Sequence, residues 1–485
     1  MIKTSLTTIA LAAFLAACGT ATPLPSPSPE VAPRFAQGQD LAPGHVAQPD
    51  WWAVFDDPAL DLLVRRGLEA NLDLQQAAER VQRSRGLAAG AQAERGPSGG
   101  VGLGVRAQQL SRFEAPGASA DDRRSESGSA RVSLSWEVDL FGRLRHAAQA
   151  ADARLQAVQA DAAAIRLAVG AEIAQAWFAL DGARTQAALV RRVVDNRRTT
   201  LDLVLRRVAA GYSAPLDEAR ARADLAAAEA ELPALDGALA VSQHRLAVLL
   251  GASPSGFEAP PQAGTAPRPV ALRLPEPAQW AAQRPDLQAA EARLRALALD
   301  VESVRAEFLP RLSVAGVLGV VAGSLSGLGA AGAASWFVAP SMSLPVFDHA
   351  RIDARLKAAR AGEREALLAY RQRVLLATEE VESGLAQVRH GQQRIGALQE
   401  RARQAVAAED LARKRFAAGG TDLLELLDAQ RSAQQAEIGL SAAVTAQQQQ
   451  VVALQRALGA RFLPADRTSV STRLASITAE THAQR

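Results

Sequence analysis

The sequence predicts a mainly α-helical chain with membrane β-strands, built from two copies of one unit of long coiled-coil helices and a β-hairpin. Three observations carry this. Landmarks recur in order at an offset of roughly 210 residues, long stretches run without proline, and two segments alternate residue character with period two.

The repeat sets the frame. Asn71-Leu-Asp-Leu-Gln75 returns as Arg284-Pro-Asp-Leu-Gln288, and Ala93-Glu-Arg-Gly-Pro97 as Ala306-Glu-Phe-Leu-Pro310, both about 213 residues on. Leu140-Phe141-Gly142 is answered by Val346-Phe347-Asp348. Arg206-Arg-Val-Ala-Ala-Gly211 is answered by Lys414-Arg-Phe-Ala-Ala-Gly419. These landmarks place a first structural repeat at residues 55–255, a Pro-rich linker at 256–274 and a second repeat at 275–465.

Residues 145–209 contain no proline and are rich in Ala, Arg, Gln and Leu. About 65 helical residues at about 1.5 Å each would reach about 100 Å, far beyond an ordinary globular helix. The next segment shows a heptad seam. Leu225, Leu232, Leu239 and Leu246 recur every seven residues, with Ala228, Leu235, Ser242 and Leu249 three further on. Pro233 lies inside this seam and is expected to kink or break the helix. The second repeat matches, with helices expected at 348–417 and 422–459.

Residues 98–138 change period. Ala130, Val132, Leu134, Trp136 and Val138 alternate with Ser129, Arg131, Ser133, Ser135 and Glu137, and Val101, Leu103 and Val105 alternate with glycines. With a polar loop expected over Phe113–Gly128, this reads as a hairpin of about ten residues per strand, the span of a tilted strand in a bilayer. The equivalent segment, 311–345, has no charge from Leu312 to Phe347, and carries Gly319, Gly323 and Gly327 at GxxxG spacing. Alone, it would pass for a packing transmembrane helix. The repeat, the alternation around Trp336 to Leu344, and the Gly and Ser cluster at Gly323–Gly332 favour a second hairpin. Four strands cannot close, and an open edge is not tolerated in lipid, so several chains must share one barrel; three would give twelve strands.

At the N-terminus, Lys3, the apolar Leu6–Leu15 and Leu15-Ala16-Ala17-Cys18 form a signal peptide, 1–17, ending in a lipobox-like tetrad. Cys18 is the only cysteine, so disulfides and thiolate metal sites are excluded, and the resemblance to a lipobox implies that it is acylated. Residues 18–54 read as a lipidated tether, and the polar residues 466–485 as a disordered tail.

The 54 basic and 51 acidic residues leave a formal charge of +3, with no basic patch interleaved with aromatics, so a nucleic-acid role has no support. The six histidines (His45, His146, His244, His349, His390 and His482) are scattered without ligand spacing, and no P-loop, nucleophile elbow or paired-glycine fingerprint occurs. Met1 and Met342 are the only methionines, so a Met-lined copper path is not supported. Neither an enzyme nor a bound cofactor or metal is expected.

In this order, several motifs resemble one family. They are Trp51-Trp52 through Asp57-Pro-Ala-Leu60, Ser135-Trp-Glu-Val-Asp-Leu-Phe-Gly-Arg143, Arg284-Pro-Asp-Leu-Gln-Ala-Ala-Glu291 and Phe308-Leu-Pro-Arg-Leu312. Pro345-Val-Phe-Asp348, Leu427-Asp-Ala-Gln-Arg431 and Ala457-Leu-Gly459 complete the set. The chain resembles the outer membrane efflux proteins, or TolC-like factors, in their NodT-type lipoprotein branch. It departs at Ala460-Arg-Phe462, where that family carries a Gly-rich stretch and Trp.

The resemblance implies a homotrimer with a twelve-stranded barrel and a long periplasmic helical tunnel. It also implies outer-membrane localisation, with Cys18 anchored in lipid, and docking of a periplasmic adaptor (a membrane fusion protein) and an inner-membrane RND transporter. A type I protein secretion duct and a pore-less coiled-coil periplasmic lipoprotein are the competing readings.

By the same resemblance, the channel closes at the turns Gly211–Asp217 and Gly419–Asp428. Glu425 and Asp428 match the acids that ring the constriction; three residues apart, they share a helix face. Arg431, one turn on, is placed to pair with Asp428. Asp422 and Glu425 also fit a capping box, so Glu425 has two readings. Tyr212 and Pro215 are candidates for adaptor contact, although a helix start capped by Ser213 accounts for them equally.

Overall fold

A computed structural model describes residues 31–38, 50–261 and 274–459. The signal peptide, Cys18, most of the tether, the centre of the linker and the C-terminal tail lie outside the described residues. The elements are α1 (Pro58–Ala70), α2 (Leu72–Ala93), β1 (Ser98–Gln109), β2 (Arg124–Val138), α3 (Arg143–Ala209) and α4 (Pro215–Leu249). The second half contributes α5 (Pro277–Gln283), α6 (Pro285–Ala306), β3 (Arg311–Ala322), β4 (Ala334–Ser343), α7 (His349–Ala417) and α8 (Leu423–Ala457).

One compact unit is formed by Arg80–Gln159 and Ala289–Arg371. Its centre is a four-stranded antiparallel sheet in the order β1-β2-β3-β4. The uncharged segment is therefore a strand pair, not a GxxxG helix. Its glycines serve the ladder and the turn. β2 begins at Arg124, inside the loop expected over Phe113–Gly128, with Gly128–Arg124 pairing with Val105–Gln109. The alternation that marks a half-apolar strand has lapsed there, although the backbone ladder has not.

The register aligns side chains across all four strands. Val101, Val132, Leu318 and Trp336 stand side by side, as do Gly102, Arg131, Gly319 and Ser335. The first face is thus apolar on every strand, and its members Leu103, Trp336 and Met342 are exposed. The second face is mostly Gly, Ser and Ala, and it also carries the charged residues Arg106, Arg131, Glu137 and Arg311. At the foot of β2, Glu137 accepts two hydrogen bonds from Arg143, at 3.0 and 2.8 Å, while the Asp139 carboxylate caps the Leu144 and Arg145 N–H groups. The motif from Ser135 to Arg143 is thus a strand-to-helix junction, with the cap satisfying otherwise orphaned donors. Below it, α3 and α6 meet through Ala150, Ala153, Ala296 and Leu299, the three alanines being small enough to allow close approach.

The other unit comprises the described parts of Pro29–Glu79, Ala160–Gln288 and Gln372–Arg485. Its main core gathers Trp51, Trp52, Leu60, Ile173, Trp177, Leu246 and Leu250. Asp57 caps α1 at the Ala59 and Leu60 N–H groups and accepts from Trp177 Nε1 at 2.7 Å. Every position of the heptad seam in α4 is buried or half-buried. Of the kink or break expected at Pro233, the break does not occur, and one helix runs through it. Pro233 is exposed, so the Glu229 carbonyl that it leaves without an N–H donor lies on the accessible side of the helix.

The repeat has a physical basis in this unit. Asn71 Nδ2 donates to the carbonyl of Leu249, the last residue of α4, and Arg284 Nη1 donates to the carbonyl of Ala457, the last residue of α8. In each half, the same junction closes the C-terminus of the final long helix.

Candidate gate at the long-helix turns

α3 and α7 end in the same way. The Gly211 and Tyr212 N–H groups donate to the Val208 and Arg207 carbonyls at 3.0 and 2.8 Å. Those of Gly419 and Gly420 donate to Phe416 and Arg415, also at 3.0 and 2.8 Å. Gly211 and Gly419 have φ of 73° and 77°, the left-handed conformation that closes a Schellman motif. The recurrent Ala-Ala-Gly is this cap, seen twice.

Beneath the turns, Val204, Ala221, Ala412, Phe416, Leu423, Leu426 and Leu427 form a small apolar cluster that ties the four helix ends together. Leu423, Leu426, Leu427 and Gln430 give α8 a buried face at i, i+3, i+4 and i+7 spacing. Glu425, Asp428 and Arg431 follow one another at three-residue steps on the opposite, exposed side.

Glu425 is part of the helix start as well. Its N–H donates to Asp422 Oδ1 at 2.9 Å, making Asp422 the N-cap. Its carboxylate accepts from the Thr421 hydroxyl and lies 3.5 Å from Arg415, so the reciprocal half of a capping box is replaced by these contacts. Asp428 has no ion pair among the described residues. Arg431 turns away from it and donates through Nε and Nη2 to Asp224 Oδ1 on α4, at 3.1 and 3.0 Å. The expected Arg431–Asp428 pair is therefore replaced by a cross-helix one.

Asp224 is also the partner of Arg197, whose Nε lies 2.6 Å from Oδ2. Both side chains are buried. Burial draws the Arg197 guanidinium below its ordinary value, with Asp224 and Glu409 opposing that shift. Arg197 further donates to Gln430 and Gln434, and Gln430 Nε2 donates to Thr200 Oγ1 at 3.0 Å. Sequence reasoning missed this polar core, because its members come from three distant helices.

At the other turn, Pro215 is the first residue of α4 and Ala214, not Ser213, is the N-cap. The residue before a proline is driven to extended geometry, and Ala214 has φ −80° and ψ 154°. Ala214 offers no side-chain cap, but Asp217 reaches back and accepts from the Ala214 N–H at 3.3 Å. Tyr212 is exposed.

Long paired helices, a sheet with one apolar face and one polar face, and a knot of charges at the helix turns together define a membrane channel-tunnel component. The comparisons identify which. The outer membrane efflux protein family matches residues 63–252 and 277–460, and the chain belongs to that family. It is 33% identical to the pyoverdine export outer membrane protein OpmQ of Pseudomonas putida, over 93% of this chain and 96% of that protein. It is also 33% identical to outer membrane protein OprJ of Pseudomonas aeruginosa, over 93% and 94% of the two chains. Among solved structures, the outer-membrane channel OprN superposes with a TM-score of 0.83 at 32% identity, covering 91% of this chain and 98% of that one. This chain is an outer-membrane efflux component.

Proposed function

We propose that three copies of this chain close a twelve-stranded barrel that passes small molecules outward, as the outer-membrane duct of a tripartite RND-type pump. One observation carries the reading: β1 and β4 are open edges of a sheet that is apolar on one face and polar on the other. Lipid covers the apolar face, water fills the space behind the polar one, and each β1 pairs with the β4 of the next copy. Cys18 carries the lipid anchor, and Tyr212 and Pro215, at an exposed helix turn, face the periplasmic adaptor.

Glu425 and Asp428 form the periplasmic gate. Their exposed stripe on α8 would present two stacked carboxylate rings under threefold symmetry, able to bind cations and to narrow the pore. Arg431 holds α8 to α4 through Asp224 instead of neutralising Asp428, so the Asp428 ring keeps its charge, while Glu425 lies 3.5 Å from Arg415. In planar bilayers, Glu425→Ala combined with Asp428→Ala raises single-channel conductance and weakens block by divalent cations. If conductance and block both match the parent channel, these residues are not the gate.

A further inference from the structure

The polar face of the sheet is not neutral. On the alternation fixed by the register, its charged residues are Arg106 on β1, Arg131 and Glu137 on β2, and Arg311 on β3. β4 contributes Ser335, Phe337, Ala339, Ser341 and Ser343, with no charge. Glu137 is already held by two hydrogen bonds from Arg143. It also lies six residues along the strand from Arg131, about 20 Å away. Among the described residues, no carboxylate on this face is within reach of Arg131 or Arg106.

Arg131 is singled out by its flanks. Its cross-strand neighbours are Gly102 on one side and Gly319 on the other, and along β2 it stands between Ser129 and Ser133. A Cβ at Gly319 would fall 2.3 Å from the Ala130 carbonyl oxygen and 3.0 Å from Arg131 Cγ, so the ladder keeps that flank clear. Among the described residues the guanidinium therefore has no partner, and no bulky side chain stands beside it. A guanidinium offers five donors in a fork that fits carboxylate, sulfonate or phosphate oxygens.

We infer that Arg131, supported by Arg106, forms an anion-selective site in the barrel lumen, so that the exit end of the duct favours anionic small molecules. The inference rests on the trimeric barrel proposed above, in which each arginine becomes a ring of three. Rings of Arg or Lys select anions, and substitutions on a lumen face tune selectivity. Closure by β4 of a neighbouring copy brings no compensating charge, because that strand has none on this face.

The test is the zero-current potential of the purified full-length channel in a planar bilayer under a KCl gradient. Arg131→Gln moves it toward the potassium equilibrium potential, Arg131→Glu moves it further, Arg131→Lys restores it, and Arg106→Gln gives a smaller shift in the same direction. In the wild-type channel, citrate added on the side of the β1–β2 loop lowers conductance, and the effect fades as salt is raised. The tip carboxylates are unchanged in all these variants, so differences between channels report the barrel. A conducting channel whose potential is unmoved by Arg131→Glu, or a wild-type channel indifferent to citrate, overturns this inference alone. Absence of any channel from the wild-type protein overturns the barrel reading and this inference with it.

Discussion

The Arg197 guanidinium and the Asp224 carboxylate meet at 2.6 Å in a pair whose side chains are only 3% and 7% exposed, so α3 and α4 are joined by charges taken out of water. Such a pair is weak evidence of net stability, yet losing one partner leaves the other charge buried and unmatched. Asp224→Asn is expected to destabilise the helix turns by about 3–5 kcal/mol. Arg197→Met combined with Asp224→Leu should cost less than either single change. Thermal unfolding of the detergent-solubilised protein checks both, and additive losses in the double variant would show that the two residues act independently.

Asp286 gives the protein an acid limit. Burial alone would raise its carboxyl, but Arg284 and Arg373 outweigh burial and hold it below the ordinary 3.8. Its ion pair with Arg284 is 2.8 Å long and that with Arg373 is 2.7 Å long. A carboxylate whose folded pKa is depressed contributes stability that is whole above its unfolded value and is lost as pH falls through the folded one. The unfolding midpoints of wild type and Asp286→Asn should therefore differ most above about pH 4 and converge as pH falls further. A gap that stays constant down to strong acid would remove Asp286 from this role.

The two Schellman turns predict matched defects. Alanine at Gly211 or Gly419 must adopt the left-handed conformation at a cost of about 1–2 kcal/mol, and asparagine should be milder at either site. Amide hydrogen exchange should quicken at Tyr212 in the first variant and at Gly420 in the second, the donors that close each motif. Unchanged exchange in both would mean that the turns tolerate a different closure.

The sequence carried the parts of this molecule that have a period. Heptads in α4, alternation in β2 and β4 and the recurrent Ala-Ala-Gly all report local backbone geometry, which neighbouring residues dictate. Arg197, Asp224 and Arg431 were not legible in the same way. Asp224 and Arg431 lie 207 residues apart, and their meeting depends on how α4 docks against α8, which no local pattern encodes. The placement of the α4 cap at Ser213 failed because Pro215 fixes the geometry of the residue before it more firmly than a hydroxyl fixes a cap. Of the two outcomes expected at Pro233, a kink or a break, the helix avoids the break because one missing hydrogen bond on an exposed side costs less than the packing of a seam that continues on either side of it.

The open edges of β1 and β4 also bear on how the protein reaches its membrane. A lone chain entering lipid would carry two rows of backbone N–H and C=O groups without partners, each costing several kcal/mol. Insertion cannot then run ahead of association, and the two must be one kinetic event. The rate of membrane integration should climb more steeply than first order with the local density of chains, and dilution should strand the protein outside the bilayer.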